Sequence, residues 1–258
     1  MARLSPWYSR LRLPNGVLDA IVQISMWFAA YYLYRLVRGL VDGQAGLAFE
    51  NARHLVDAER TLGLFFEPSL QAWAEGKEWL ITFSSWMYVN SHFVITTTFL
   101  IWLYIARNHA FYFVRNMFLV AMSLALVGYM AFPAAPPRFL PEWGFSDSVA
   151  NFVGENAEQS ANVLYNPFAA VPSMHVAFAL MIAVPATMLV RNRLLKVFWA
   201  IYPALVTFVV TFVVVVTANH FWLDAALGAL VAALSAYAAY AAFARARPEA
   251  WAWHTARA

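Results

Sequence analysis

The sequence contains no cysteine, and only 12% of its 258 residues are charged. Without thiols there can be no disulfide framework, no thiolate metal site and no catalytic cysteine. The shortage of charge excludes more. A water-soluble domain carries about 25% charged and about 45–50% apolar residues, whereas 62% of this chain is hydrophobic, with 21 Phe, 12 Tyr and 11 Trp. That excess has to face something other than water, and a bilayer is the simplest candidate. Internal repeats, low-complexity tracts and soluble domains are missing as well, so one membrane domain accounts for residues 1–258. The net charge of +3 is too small and too scattered to suggest nucleic acid as a partner.

A bilayer core about 30 Å thick needs about 20 mainly apolar residues per helical crossing. Six such spans can be read, near residues 17–37, 79–105, 111–132, 173–190, 197–217 and 221–243. The expected fold is therefore all-α and polytopic, with six transmembrane helices. The first span is long, carries Trp27 and Tyr31 to Tyr34 in its outer half and lacks a small-residue cleavage site, so it reads as a retained helix rather than a signal peptide. Arg3, Arg10, Arg12, Arg107, Arg115, Arg191, Arg193, Lys196, Arg245, Arg247 and Arg257 fall on one side, and most of the acids fall in two long loops, about 38–78 and 133–172, on the other. The basic side is the expected cytoplasmic one. This places both termini in the cytoplasm and the long loops outside a cell membrane.

Within the first long loop, Ala48, Ala52, Leu55, Val56, Glu59, Leu62 and Phe66 recur at a helical period. An amphipathic helix lying at the membrane interface, between the first and second spans, fits this pattern. A helical cap over the bundle fits equally well. Glu50, Arg53, Glu59 and Arg60 read as charges paired along a solvated face, and His54 and His109 as loop residues. His254 belongs to the tail.

Ionisable groups in or at the ends of spans are costly and default to functional hypotheses. Four stand out: His92, His175, His220 and Asp224. His175 lies in Val171-Pro172-Ser173-Met174-His175, where Pro172 suits a first helical residue, and the first free N–H groups, from Ser173 onward, would form an anion cradle. From His175 the chain crosses the membrane, turns at 191–196 and returns through about 21 residues, roughly 31 Å at the helical rise, so His220 regains the same face. His220 and Asp224 stand four apart, on one side of the sixth helix. A carboxylate there holds one imidazole nitrogen protonated and leaves the other to attack. Two such histidines suit the nucleophile and the general acid of a phosphoryl transfer. Arg138, after the prolines of Phe132-Pro133-Ala134-Ala135-Pro136-Pro137, supplies a planar cation for the phosphate oxygens.

Pro-Pro-Arg at 136–138, Pro-Ser-Met-His at 172–175 and Asn-His-x-x-x-Asp at 219–224, in this order, resemble the signature of the type 2 phosphatidic acid phosphatase superfamily. Within it the chain is most similar to the inositolphosphotransferase branch that includes inositol phosphorylceramide synthases. The resemblance spans residues 79–243 and extends more weakly over Glu59-Arg60-x-Leu62-Gly63-Leu64-Phe65. It implies a six-helix core and a phosphohistidine intermediate formed without metal or other cofactor. His220 would be the nucleophile, Asp224 its orienting carboxylate and His175 the acid for the leaving oxygen, with Arg138 and Ser173 on the phosphate; Asn219, like His92 and Tyr88, is a candidate substrate contact. The implied substrate is a lipid phosphate or phospholipid, with water, an alcohol or an inositol-type acceptor completing the reaction. Three departures from the family pattern stand out: Ala131 where it has Lys, Val214 where it has Arg, and Met174 where it has Gly. The site thus has fewer cations than a typical lipid phosphatase, which favours the phosphotransferase-like branch.

His92, with Tyr88 one turn before it and Thr96 to Thr98 after it, forms a polar stripe at mid-span. It serves either interhelical hydrogen bonds or substrate binding. Two competing readings use the same histidines: a transmembrane haem protein with His92 and His175 or His220 as axial ligands, and a His/Asp metal-dependent membrane hydrolase.

Overall fold

The computed structural model describes residues 13–40, 44–154, 168–189 and 193–253. Regular structure among them is helical apart from one bridge pair, Ala134 with Ala169. The helices are α1 (Gly16–Leu40), α2 (Ala45–Thr61), α3 (Glu67–Glu75), α4 (Glu78–Ala106), α5 (Asn108–Ala131), α6 (Ser148–Val153), α7 (Met174–Met188), α8 (Arg193–Val216) and α9 (Trp222–Ala238). A π-helical segment, Ala239–Ala244, prolongs α9. Each of the six apolar runs forms a helix. Four are long and apolar enough to cross a membrane: Gly16–Leu33, Glu78–Ala106, Asn108–Ala131 and Trp222–Ala244. Met174–Met188 and Ile201–Val216 are shorter apolar helices. Val17, Leu18 and Phe28 on α1, Trp79 and Val94 on α4, Phe208 on α8 and Leu230 on α9 are all exposed, a surface that suits lipid and not water.

The core forms where α5, α7 and α9 meet. Val114, Phe118, Ala121 and Ala125 pack on Ala177 and Met181 and on Val231 and Ala232. Small residues let these helices approach closely, and two glycines take this furthest. A Cβ on Gly228 of α9 would fall 2.2 Å from the Ser173 carbonyl oxygen, and one on Gly128 of α5 would fall 2.8 Å from the Pro172 ring. The Pro172-Ser173 entry to α7 is gripped from both sides.

Above this end lies α2. Its stripe of Ala48, Asn51, Ala52, Leu55, Val56 and Glu59 is buried, against Ala134, Ala135, Leu140, Ala170, Val171, Ala218 and Phe221. The helix is thus a cap whose apolar face is covered by protein. Leu62 and Phe66, which continue the spacing, are exposed. Asn51 donates to the Pro133 carbonyl (2.8 Å), and Ala135 N–H donates to the Ala48 carbonyl (3.0 Å).

Several expectations need correction. Pro172 precedes the helix, with Ser173 as N-cap and Met174 first. His54 and His109 lie in helices α2 and α5 rather than in loops. Glu59 is not on a solvated face but fully buried, because it ends the apolar stripe and turns onto α9. Arg3, Arg10, Arg12, Arg191, Arg257 and His254 lie outside the described residues.

Candidate active site

Arg138 sits in the 3-10 turn Pro137–Phe139, entered through an extended Pro136. Its N–H donates to the Ala218 carbonyl (2.8 Å), which ties this loop to the turn between α8 and α9. Ala218 takes φ +51°, a left-handed conformation that costs a non-glycine residue free energy. That reversal brings the N–H groups of Asn219 and His220 onto one acceptor, the Val214 carbonyl, at 3.1 Å each.

The Arg138 guanidinium is held from two directions. Nε lies 3.3 Å from Asp147 Oδ2, and Nη1 donates to Asn219 Oδ1. Asp147 is fixed in turn, since its Oδ1 caps α6 by accepting the Ala150 N–H (2.9 Å). Next to it, the Ser146 carbonyl accepts from Gln71 of α3 (2.9 Å). The Asn219 amide nitrogen donates to the carbonyl and hydroxyl oxygens of Thr217, 3.0 Å each. Asn219, a candidate substrate contact from the sequence, is thus engaged with Arg138 and Thr217 and orients the guanidinium.

His220 Nδ1 faces Asp224 Oδ2 at 3.4 Å. The same oxygen accepts the Phe221 N–H (3.0 Å), while Oδ1 has no partner among the described residues. With Nδ1 turned to the carboxylate, Nε2 is the nitrogen left for a substrate, an assignment made from the hydrogen-bond pattern. His175 stands in the first turn of α7, its ring centre 5.7 Å from that of His220. Tyr88 stacks on His175 at 4.5 Å, and His92 lies 4.5 Å from it on another side. His92 in turn stacks on Phe178 at 4.9 Å. The polar stripe of α4 therefore borders the histidine pair. The 4.5 Å contact between His92 and His175 leaves no room for a porphyrin between their rings, and no three His, Asp or Glu side chains gather as a metal set among the described residues.

Ser173 departs from its expected part in the cradle. Its N–H is taken by the Asp224 carbonyl (3.0 Å), a bond that fixes α7 to α9. Its side chain is fully buried, and Oγ has no partner among the described residues.

Arg138, His175 and His220 line one end of a cavity of about 910 Å³. From there the cavity runs between α1, α4 and α5, past Trp27, Tyr31, Phe93, Leu100 and Phe118, to Tyr104 and Arg115. Tyr88 to Tyr104 along α4 is about 24 Å at the helical rise. A polar clasp lies at the far end. Asp19 of α1 accepts from Tyr104 (2.8 Å) and Tyr112 (2.7 Å), and Arg115 donates to Gln23 (2.6 Å).

Two acids, Glu59 and Glu67, lie buried behind α9 and were not assigned to the site from sequence. Leu223 N–H donates to Glu59 (3.2 Å) and Trp222 N–H to Glu67 (3.3 Å). The signal for Glu59 was its place in the apolar stripe of α2, where a carboxylate facing solvent has no reason to fall in register.

The positions Ala131 and Val214 supply no cation, so Arg138 is the cation at the histidine end of the cavity among the described residues. No curated protein and no solved structure matches the chain. The PAP2 superfamily profile matches residues 53–238, a stretch that runs from the Arg53 turn of α2 to the end of α9 and includes every side chain of the site. A single stretch with all three motifs in order, folded so that they meet, is what common descent requires, and the chain belongs to the PAP2 superfamily.

Proposed function

We propose that the chain is a membrane lipid phosphatase or phosphotransferase acting through a phosphohistidine on His220. PAP2 superfamily members are generally phosphatases, and the apolar helices fit a membrane protein. The observation that carries the reading is the His220 ring, backed by Asp224 at 3.4 Å and facing His175 at 5.7 Å, in a cavity that also holds Arg138. Nε2 of His220 attacks phosphorus in line, and the bond from phosphorus to the leaving oxygen breaks. His175 gives that oxygen its proton, and Asp224 stabilises the imidazolium. Arg138 and the Ser173 hydroxyl bind the phosphate oxygens, and the guanidinium meets the charge that develops in the transition state. In the second step an acceptor hydroxyl loses its proton to His175 and attacks phosphorus, which frees His220. Water as acceptor yields hydrolysis, and an alcohol yields head-group transfer.

The cavity supports a long-chain lipid as substrate: polar at the histidine end and apolar for most of its length, it accommodates a phosphate and a hydrocarbon chain together. His92 and Tyr88 border the path between them. The low cation count at the site favours the inositolphosphotransferase branch, with an inositol-type acceptor. The six apolar helices cross the membrane, the termini are cytoplasmic, and the site opens on the external face.

The test is incubation of the purified protein with labelled lipid phosphates and phosphatidylinositol, with and without inositol-containing acceptors, followed by quenching in alkaline detergent. An acid-labile, base-stable phosphoprotein that disappears in His220→Ala is the expected result. Turnover that survives His220→Ala would refute the assignment.

A further inference from the structure

Three carboxyl groups converge on the first turn of α9, and the reaction uses one of them. Three N–H groups at that helix start are taken: Phe221 donates to Asp224 (3.0 Å), Trp222 to Glu67 Oε1 (3.3 Å) and Leu223 to Glu59 Oε1 (3.2 Å). Glu59 comes from α2 and Glu67 from α3, and both are fully buried. The turn between them also grips α9 from outside, since the Leu64 carbonyl accepts the Trp222 indole N–H (3.0 Å). No lysine or arginine pairs with either acid among the described residues, and Arg60, the nearest in sequence, lies over the rings of Phe65 and Trp143 instead.

Two adjacent buried carboxyls with no cation cannot both be ionised. Their partners differ. Glu67 receives an N–H on each oxygen, from Phe66 on Oε2 (2.9 Å) and from Trp222 on Oε1, which suits an anion. Glu59 receives only the Leu223 N–H, and its Oε2 is buried without a donor. That oxygen is the place for a proton, with Glu67 beside it as acceptor. Burial, then the Glu67 hydrogen bond and the Glu67 charge, hold the Glu59 carboxyl up at about 9, against the Leu223 N–H, with Asp224 adding a little in the same upward direction.

We propose that Glu59 is a positioning residue of the site: a neutral carboxylic acid that donates from Oε2 to Glu67, accepts the Leu223 N–H on Oε1, and so fixes the turn on which His220 and Asp224 stand. The link to turnover rests on the function proposed above; the buried proton does not. Ionised or truncated, Glu59 releases the turn and His220 loses its line of attack, so kcat falls and KM stays. The groups that face the pair are Glu59 on α2, Glu67 on α3 and Asp224 on α9, with His220 just before it.

Two measurements on the purified full chain decide the matter. In the first, the thermal midpoint is followed from pH 5 to 9. The folded state keeps a proton that the unfolded chain releases near 4.5, so wild-type stability falls as pH rises from there towards about 9. Glu59→Gln, which has no proton to lose, has a flatter profile. In the second, kcat and KM on a lipid monophosphate are compared. Glu59→Ala loses about tenfold or more in kcat with KM within about twofold, and Glu59→Gln restores most of it and lacks the alkaline decline of the wild type. Should Glu59→Gln not fold, Glu67→Gln carries the first test, because removing the anion flattens the same slope. A wild-type midpoint profile that neither glutamine variant alters, or full turnover in Glu59→Ala, overturns the proposal. A wild-type protein without phosphoester turnover refutes the function instead, and the midpoint profile still decides the proton.

Discussion

In the proposed mechanism Asp224 and Arg138 act on opposite charges, and their variants should fail differently. Asp224 holds the His220 tautomer through one oxygen, 3.4 Å from Nδ1. Asp224→Asn keeps the size but loses the anion, so kcat should drop by about 10² to 10⁴ with little change in KM; a variant with unaltered kcat in single-turnover assays would speak against the pairing. Arg138 is spread between Asp147 and Asn219 by a planar fork. Arg138→Lys preserves charge but can satisfy neither partner in the same geometry, and kcat/KM should fall by about tenfold to a hundredfold, read from initial rates on one lipid phosphate. His175, His220 and Asp224 were legible in the sequence because each lies at or beside a helix start, and Arg138 because prolines precede it in the loop after α5. Asn219 and Glu59 were harder to read. An amide can turn to substrate or to a neighbouring guanidinium, and spacing does not say which. Glu59 looked like one of four charges on a helix surface, until burial separated it from Glu50, which lies exposed beside His54.

At the level of elements, the site depends on how closely α9 approaches the entry to α7. Gly228→Ala places a methyl carbon 2.2 Å from a backbone oxygen that has no flexible side chain to move. The two helices must part, which should cost about 1–3 kcal/mol or more and lower the thermal midpoint in detergent. Gly46→Ala in α2 meets nothing within 4 Å and should raise the midpoint slightly, by at most about 1 kcal/mol of helix propensity. The six helices were legible because their apolar runs are long and uninterrupted. Their exact starts were not: Pro172 suits a first helical position, but the chain must first bond Ser173 N–H to the Asp224 carbonyl, and the helix begins after it. Helix α2 was legible as amphipathic, while the covering of its apolar face by loops 134–145 and 168–171 is a tertiary fact that its own pattern does not contain.

For the molecule as a whole, the topology proposed from the charge bias has the loop bearing Arg138 and the start of α5 on opposite sides of the membrane. The lack of native cysteine makes this directly testable. In intact cells, a membrane-impermeant maleimide should label Glu142→Cys and leave Ala106→Cys unlabelled until the membrane is permeabilised. The reverse pattern would invert the topology. Helix α7 adds a consequence of its length. Its 15 residues cover only about 22 Å at the helical rise, less than the hydrocarbon thickness of about 30 Å. If α7 crosses the bilayer as proposed, with His175 on its first turn, a substrate head group would have to sink beneath the layer where its neighbours stay hydrated. On the proposed mechanism, an acceptor carried in by its own hydrocarbon tail would then meet the phosphorylated imidazole at a depth where it competes with solvent on favourable terms.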